Sequence, residues 1–314
     1  MAVLNDTVSK AEETILDFHP LSINDKALYE KYLFSDSDRG CELSFSNLIC
    51  WGKHEIAYTE NFCVLLSSYG RFDFYPYPIG KGDAFPVIES VISDAKKRGI
   101  RAIINSIPPH KLNDFLDIYG GRVTIESKLG SFDYVYNIDD LATLIGKKYQ
   151  KKRNHLNNFK KAFPCYEIEE ITLKNIHRVQ KMSELWYEEK AKGDKENDLS
   201  YERGALTRAL ENFEALKLDG IMITHRDRVL AFTMGSRLLS DTFDVQFEKA
   251  IPEAYSAINY EFANYIKNKY KDIKFLDREE DMGVEGLRRA KSSYYPHHMT
   301  EKYRARFLED ENDN

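Results

Sequence analysis

The densest group of chemically competent side chains lies between residues 277 and 296. Four acidic residues occupy five positions, and two glycines and three basic residues follow: Asp277, Glu279, Glu280, Asp281, Gly283, Gly286, Arg288, Arg289 and Lys291. The apolar run 273–276 before them reads as a buried strand, and open α/β sheets usually bind ligands at strand ends. Glycines there let backbone N–H groups approach an anion or a reacting carbonyl. The segment predicts a ligand site, and the alternative is a salt-bridged turn that caps a helix.

A basic amphipathic segment, 139–163, is the second group of candidates. Its apolar stripe runs from Leu141 to Phe163, Asp139 and Asp140 could cap its start, and Pro164 ends it. Its other faces are rich in lysine, and asparagines that could donate to phosphate interleave with the cations. The segment is either a solvated face or a phosphate-binding surface. The candidate contacts are Lys148, Lys151, Lys152, Arg153, Asn154 and Asn157.

Composition limits the class of protein. A chain of 314 residues is long enough for two domains of about 150 residues each. The net charge of −6 excludes polyanion binding by bulk charge, so a nucleic acid would need a local basic patch. The polar tail 309–314 is expected to be disordered.

Cysteines and histidines predict no metal site. The four cysteines form no CxxC pair, which is typical of free thiols in a reducing cytoplasm. His297 and His298 are adjacent, so their rings diverge, and no further ligand lies at metal spacing. No apolar run approaches the ~20 residues of a membrane span. A cytoplasmic protein without a membrane span is therefore expected.

The order of the predicted elements occurs twice. Each half reads helix, hairpin, strand, helix, strand, helix, which predicts an α/β (α+β) fold with mixed sheets. In the first half the spacing predicts a helix over 83–99, stopped by Gly99. In the second half a hairpin turns at 225–227, a strand covers 242–247 and a helix 253–270. Asp244, Gln246 and Glu248 share one face of that strand, expected to be a polar outer face.

The element order resembles the GNAT superfamily of acyl-CoA N-acyltransferases, in tandem. More specifically, the chain resembles the soluble C-terminal domain of bacterial phosphatidylglycerol lysyltransferases and its relatives of unknown function. Three segments carry the match: Gly146–Phe159 after Asp133–Tyr136, Asp277–Pro296, and Phe45–Leu48 with Trp51. The resemblance implies tandem GNAT-like domains, here 1–163 with a basic connecting helix over 139–163, and 164–308. The better-studied members of this family transfer an aminoacyl group from a charged tRNA to a lipid.

Two departures from the family bear on its substrates. Lipid-modifying members carry many membrane spans before this region, and this sequence contains none, so a lipid acceptor is not implied. Acetyl-CoA-dependent members usually place a glycine-rich loop before the long helix, and 248–256 contains no glycine. In the first half, Gly80 and Gly82 flank Lys81 before the helix and form a weak phosphate cradle.

Acyl transfer to an amine needs a base for the proton and donors for the oxyanion. The candidate bases are Glu279, Glu280 and Asp281. Arg288 and Lys291 are three residues apart on the following helix and could clamp a phosphate. They complete the donor-binding set together with Arg278, Gly283 and Gly286.

The sequence thus predicts an acyl or aminoacyl transferase with its ligand in the cleft between the two copies. The donor would be aminoacyl-tRNA or another polyphosphate, and the acceptor an amine or hydroxyl on a small molecule, peptide or lipid headgroup. No cofactor is certain; acyl-CoA is the alternative co-substrate, which would make the protein an acetyl-CoA-dependent N-acetyltransferase. The third hypothesis is a non-catalytic module that binds an anion or nucleotide.

Overall fold

The computed structural model describes residues 16–36, 39–193 and 199–308; the acidic tail 309–314 lies outside this range. The helices are α1 Lys26–Leu33, α2 Phe45–Cys50, α3 Phe85–Arg98, α4 Pro109–Tyr119, α5 Ile138–Thr143, α6 Gln150–Ala162, α7 Ile176–Gly193, α8 Ser200–Glu211, α9 Tyr255–Lys269 and α10 Glu285–Ser292. The strands are β1 His19–Pro20, β2 Lys53–Tyr58, β3 Phe62–Tyr69, β4 Phe72–Pro76, β5 Ile79–Gly80, β6 Ile103–Ile107, β7 Val123–Ser127, β8 Asp133–Asn137, β9 Glu167–Glu170, β10 Asp219–His225, β11 Arg228–Arg237, β12 Thr242–Ala250, β13 Phe275–Asp277, β14 His298–Thr300 and β15 Tyr303–Phe307.

The chain divides into two compact units, each with its own mixed sheet. Unit 1 comprises residues 1–21, 53–126 and 303–314, and unit 2 comprises 22–52 and 127–302. These ranges differ from the expected division at residue 163. The reason is strand pairing: β8 pairs with β13 and β14 of unit 2, whereas β15 pairs with β6 of unit 1. No helix in the described ranges is both long and apolar enough to cross a membrane.

Unit 1 is built on a sheet with the strand order β1-β2-β3-β4-β6-β15-β7, and β5 pairs with β3. The predicted helix is present as α3, whose Ile88 and Val91 are fully buried. Gly99 ends it in the left-handed conformation with φ 67°. A Cβ on Gly80 would lie 2.1 Å from the Asn61 carbonyl oxygen, so this glycine permits the close approach of β5 to the chain before β3.

Unit 2 contains a sheet with the order β14-β8-β13-β12-β11-β10-β9, in which only the β12–β13 pairing is parallel among the described pairs. The predicted hairpin is present as β10 and β11, and the predicted strand and long helix as β12 and α9. One face of the sheet packs against α9: Tyr136 and Phe243 lie in a core with Phe262 and Ile266. That apolar contact fixes β12 and β13 and thereby the residues at their ends.

The opposite face of this sheet is polar and buried. Asp244 is fully buried and Gln246 is 8% exposed, so the expectation of a polar outer face was wrong. The reason is α2, whose Ser44, at the N-cap, accepts a hydrogen bond from Gln246 Nε2 at 2.9 Å. Ser46 Oγ donates to Ser236 Oγ at 2.9 Å. The polar face of a strand with alternating polar and apolar residues can therefore be buried against another polar element, here α2, as well as exposed to solvent.

The basic segment is two helices, α5 and α6, and not the single helix expected over 139–163. Leu144 and Gly146 adopt positive φ values of 52° and 100° between them. The Arg153 guanidinium donates to the carbonyl oxygens of Leu144 and Gly146, which satisfies the backbone at the break. The sequence pattern kept its apolar period across the break, so periodicity alone could not reveal it.

Candidate active site

The candidate site begins where β13 ends in unit 2. β12 and β13 pair only over Thr242–Asp244 and Phe275–Asp277, although β12 continues to Ala250. The chain that leaves β13 holds Glu279 and Met282 at positive φ values of 58° and 53°, and Gly283 at 77°. Such conformations cost energy for residues other than glycine and cluster at functional sites. The segment that the sequence singled out is thus a strained loop at a strand end.

Glu279 is the carboxyl group in this loop whose pKa suits acid–base chemistry near neutral pH. Burial raises the pKa of Glu279 to about 7, while a hydrogen bond from Asn47 and the charge of Lys291 act in the opposite direction. Asn47 Nδ2 donates to Glu279 Oε1 at 2.9 Å and also to Asp244 Oδ2 at 3.3 Å. α2 therefore both covers this carboxyl group and orients it.

Glu280 belongs to a buried ion cluster. The Lys302 ammonium lies 2.6 Å from Glu42 Oε2, 2.7 Å from Asp133 Oδ1 and 3.0 Å from Glu280 Oε1. Cys41 donates from its backbone N–H to Asp133 Oδ2 at 2.8 Å. Cys41, Glu42, Asp133 and Glu280 have the spacing of metal ligands, but the lysine ammonium already holds the centre of this group.

Burial and the charge of Lys302 act in opposite directions on two carboxyl groups of this cluster. Three carboxyl groups share one ammonium, and burial raises the pKa values of both Asp133 and Glu280 despite the attraction of Lys302. Burial alone would lower the pKa of Lys302, but Asp133 and its neighbours raise it well above the usual value. Lys302 is therefore charged, and burial favours the protonated forms of Asp133 and Glu280.

Asp281 has a structural role in the loop, because its oxygens accept several hydrogen bonds. It is fully buried and accepts hydrogen bonds from Arg288 Nε at 2.7 Å and from the Tyr134 hydroxyl at 2.7 Å. The Gly283 backbone N–H donates to its other oxygen at 2.7 Å. The bond from Arg288 holds the pKa of Asp281 well below its usual value. This carboxylate is a weak base that fixes the start of α10.

Three predicted donor-binding cations lie around Tyr294 and the Arg278 backbone, and the charge of one of them, Lys291, acts on Glu279. Lys152 lies 3.6 Å and Arg278 5.5 Å from the centre of the Tyr294 ring, and Lys291 Nζ donates to the Arg278 carbonyl oxygen. Burial, followed by the charges of Arg278 and Lys151, lowers the pKa of Lys152 to about 8. Burial also lowers the pKa of Lys291. Arg278 forms an ion pair with Glu248 at 3.1 Å, whereas the polar contacts found for Lys152 are neutral, to Ser293 Oγ at 2.6 Å and the ring.

The other predicted donor-binding residues lie apart from this group or support the backbone. Lys148 pairs with Asp140 at 3.1 Å, and Arg153 closes the break between α5 and α6. Asn154 accepts from Gln150 at 3.0 Å. Lys151, Asn157 and Gly286 are exposed, the first two on α6 and Gly286 on α10.

Asn47, Asp133, Asp244 and Lys302 complete the site and were not among the predicted site residues. Asn47 lies within the Phe45–Leu48 segment and Asp133 within Asp133–Tyr136. Both segments carry the family resemblance, so that resemblance could have identified these two residues. For Asp244 the sequence pattern predicts a polar outer face, which hides its place in the site. Lys302 has no local signal, because its role depends on partners 22 to 260 residues away in sequence.

The arrangement of mixed sheets and splayed strands defines the class of protein. A GNAT-family acetyltransferase from Colwellia psychrerythraea superimposes with a TM-score of 0.50 at 8% identity, covering 93% of this chain and 99% of that one. The predicted GNAT-like α/β fold is thus confirmed.

A narrower assignment follows from the sequence match. The family model described as phosphatidylglycerol lysyltransferase, C-terminal, matches residues 37–306, and the chain belongs to this family. It is similar to a conserved protein of unknown function from Bacteroides thetaiotaomicron, with 35% identity, coverage of 94% and 100%, and a TM-score of 0.89. L-PGS from Bacillus licheniformis superimposes with a TM-score of 0.65 at 17% identity, covering 92% of this chain and 93% of that one.

Proposed function

We propose that the protein transfers an aminoacyl group from aminoacyl-tRNA to an amine or hydroxyl acceptor in the cytoplasm, where charged tRNA is available. The observation that carries the proposal is the group of cations Lys152, Arg278 and Lys291 around Tyr294 in unit 2, of which Lys291 acts by its charge on Glu279. Membership in the lysyltransferase family supports the reaction class. The basic residues of α6 extend the positive charge from Lys152 along the helix.

Glu279 acts as the general base in this proposal. It accepts the proton of the attacking amine or hydroxyl while the new bond to the acyl carbon forms and the ester bond to the tRNA ribose breaks. The ribose oxygen leaves with a proton, which the Lys152 ammonium can supply because its pKa is about 8. Arg278 and Lys291 stabilise the negative charge of the donor. Asp281 positions the loop through Arg288.

Two observations speak for aminoacyl-tRNA over acetyl-CoA. The connection 248–256 has no glycine with which to approach a pyrophosphate, and Gly80 in unit 1 is used for its contact with the Asn61 carbonyl group. The exposed lysines of α6 suit an extended polyanion better than a single cofactor. The acetyl-CoA and non-catalytic hypotheses remain as outcomes of the transfer assay.

That assay measures transfer of label from tRNA charged with a mixture of radiolabelled amino acids to a mixture of amine and hydroxyl acceptors. We expect Glu279→Gln to lower the rate by about 10²- to 10⁴-fold, the usual contribution of a general base. Because the deprotonated carboxylate is the active form, the wild-type rate should rise with pH through about 7. Glu285→Gln is the matched control, since Glu285 is 81% exposed on α10.

Other outcomes would contradict the proposal in distinct ways. Transfer from acetyl-CoA without transfer from charged tRNA would identify an N-acetyltransferase. Binding of charged tRNA without turnover by the wild type would identify a non-catalytic module. If Glu279→Gln and Glu285→Gln transfer equally fast, Glu279 is not the base.

A further inference from the structure

A cavity of about 260 Å³ opens in unit 2 at the end of the sheet where β12 and β13 begin. Its apolar walls are Val135, Leu239 and Phe275, and the others are polar. β12 runs six residues from Thr242, in this cavity, to Glu248, beside Arg278, which corresponds to about 20 Å along a strand. Asp277 connects the cavity to the proposed transfer site, because it precedes Arg278 in the chain and accepts a hydrogen bond from the Glu279 backbone N–H. The polar lining of the cavity includes Asp36, Arg39, Asp241, Thr242, Asp277 and His298.

Asp277 is the least exposed polar residue of this lining. It is 1% exposed, and its Oδ1 accepts a hydrogen bond from the Glu279 backbone N–H at 2.8 Å. Its Oδ2 has no hydrogen-bond partner among the described residues. A buried carboxyl oxygen without a partner costs free energy, and a ligand that donates to it recovers this cost.

The charged groups of the lining leave an excess of acid. Arg39 is 4% exposed and donates from Nε to Asp36 Oδ2 at 2.9 Å, so these two charges compensate each other. Asp241 has a cationic neighbour in Lys274 at 3.7 Å, but Lys274 is 70% exposed and such a surface pair is weak. Asp241 and Asp277 therefore favour a positively charged ligand.

We propose that this cavity binds a small primary alkylammonium ion, whose ammonium group donates to Asp277 Oδ2 and Asp241 and whose alkyl chain contacts Val135, Leu239 and Phe275. An ammonium group has three donors and tolerates this mixed lining, whereas Ca²⁺ requires six to eight oxygen ligands. At about 30 Å³ per water molecule the volume holds about nine waters, so the ligand is small. This site goes beyond the proposed transfer reaction and does not depend on it.

Binding of the ion should release a proton. Burial and the charge of Asp133 raise the pKa of Asp277 well above its usual value, against the opposing charge of Lys302. The charged groups that face Asp277 are Asp133 and Asp244 on the adjacent strands, Glu279, Lys302, and the cavity's own Asp36, Arg39, Asp241 and His298. A cation beside Asp277 lowers this pKa, so the carboxyl group gives up its proton when the ligand enters.

The test is calorimetric titration of the full chain with butylammonium chloride, at constant ionic strength set with sodium chloride, and with 1-butanol as the neutral counterpart. We expect saturable binding of butylammonium and none of butanol. The heat should differ between two buffers of different ionisation enthalpy, because a proton is released.

Asp277→Asn keeps the shape of the side chain and the acceptor for the Glu279 N–H, and it should weaken butylammonium binding at least tenfold. Asp227→Asn, in the exposed β10–β11 turn, should leave binding unchanged.

The proposal is overturned if butanol binds as well as butylammonium, or if Asp277→Asn binds like the wild type. Should Asp277→Asn fail to fold, Asp241→Asn takes its place, because the Asp241 side chain is 35% exposed and can change without loss of the core. Unchanged binding by Asp241→Asn, together with buffer-independent heat in the wild type, would also overturn it. These measurements use no tRNA, so they fail or succeed separately from the transfer assay.

Discussion

Lys302 provides the one ammonium that contacts Glu42, Asp133 and Glu280 in the described part of unit 2. Ion pairs at the surface contribute little, but a buried pair behaves differently when one partner is removed. Asp133, which is fully buried, would then lose the ammonium that pairs with it and would have to take up a proton or leave the core. The stability of unit 2 therefore depends on this single side chain more than on the surface pairs.

We predict that Lys302→Met lowers the free energy of unfolding by about 3–5 kcal/mol, the usual effect of breaking a buried pair. The loss should be larger at pH 8 than at pH 5. Without the ammonium the pKa values of the carboxyl groups rise further above those of the unfolded chain, so their stabilising protons are lost as pH rises. Urea unfolding at both pH values measures this.

Lys274→Met is the control for Lys302→Met, since Lys274 is 70% exposed and 3.7 Å from Asp241. Its effect should stay within about 0.5 kcal/mol at both pH values. Equal losses in the two variants would show that the Lys302 ion cluster does not stabilise the fold.

At the scale of elements, strands β11 and β12 carry the polar residues that form hydrogen bonds with α2 and its N-cap. Its register shifts between Met234 and Gly235, and a Cβ on Gly235 would lie 1.8 Å from the Asp244 carbonyl oxygen. Glycine thus allows the two strands to approach at the bulge. The position of Asp244, and through it the hydrogen bond to Asn47, depends on this approach.

We predict that Gly235→Ala destabilises the protein by about 1–3 kcal/mol, because the backbone of β12 must move to admit the methyl group. Gly121→Ala is the control, since a Cβ there meets no atom within 4 Å. Thermal unfolding of the two variants compares them. A Gly235→Ala protein as stable as the control would mean that the strands can separate without cost.

The elements that the sequence predicted well are those whose residues are neighbours in the chain. Residues 83–99 formed α3, and the hairpin at 225–227 formed because its apolar residues and turn are local. The pairing of β15 with β6 was not predicted, because it joins residues about 200 positions apart. The candidate site follows the same rule: Glu279 and Arg278 lie within one segment of the sequence, whereas the contacts of Lys302 join residues far apart in the chain.

For the whole molecule, charge distribution matters more than net charge. The net charge is −6, yet α6 carries lysines at 151, 152, 160 and 161. A polyanion would be repelled by the average field and attracted by this helix, so its binding should depend strongly on salt.

We predict that tRNA binding weakens between about 50 and 200 mM salt, with a slope of log K against log salt that reports the number of phosphates neutralised by the protein. Replacing Lys147 and Lys151 with alanine should reduce that slope by about 0.7–0.9 for each phosphate that the variant no longer neutralises. Filter binding measures it.

The control replaces Lys174 and Lys181, which are exposed on or near α7, with alanine. This pair removes the same charge from another surface and should leave the slope unchanged. If both pairs of substitutions reduce the slope equally, tRNA responds to total charge and α6 is only a solvated face.

The position of β15 has a consequence for how the protein is made. In unit 1 this strand lies between β6 and β7, inside the sheet, although it is formed by Tyr303–Phe307 near the end of the chain. Domains are generally expected to fold during synthesis, starting from the amino-terminal side. Here the sheet of unit 1 lacks its inner strand β15 until residues 303–307 have been synthesised. A chain that stops before Tyr303 would therefore lack an inner strand of the unit 1 sheet and leave β6 and β7 without their shared partner.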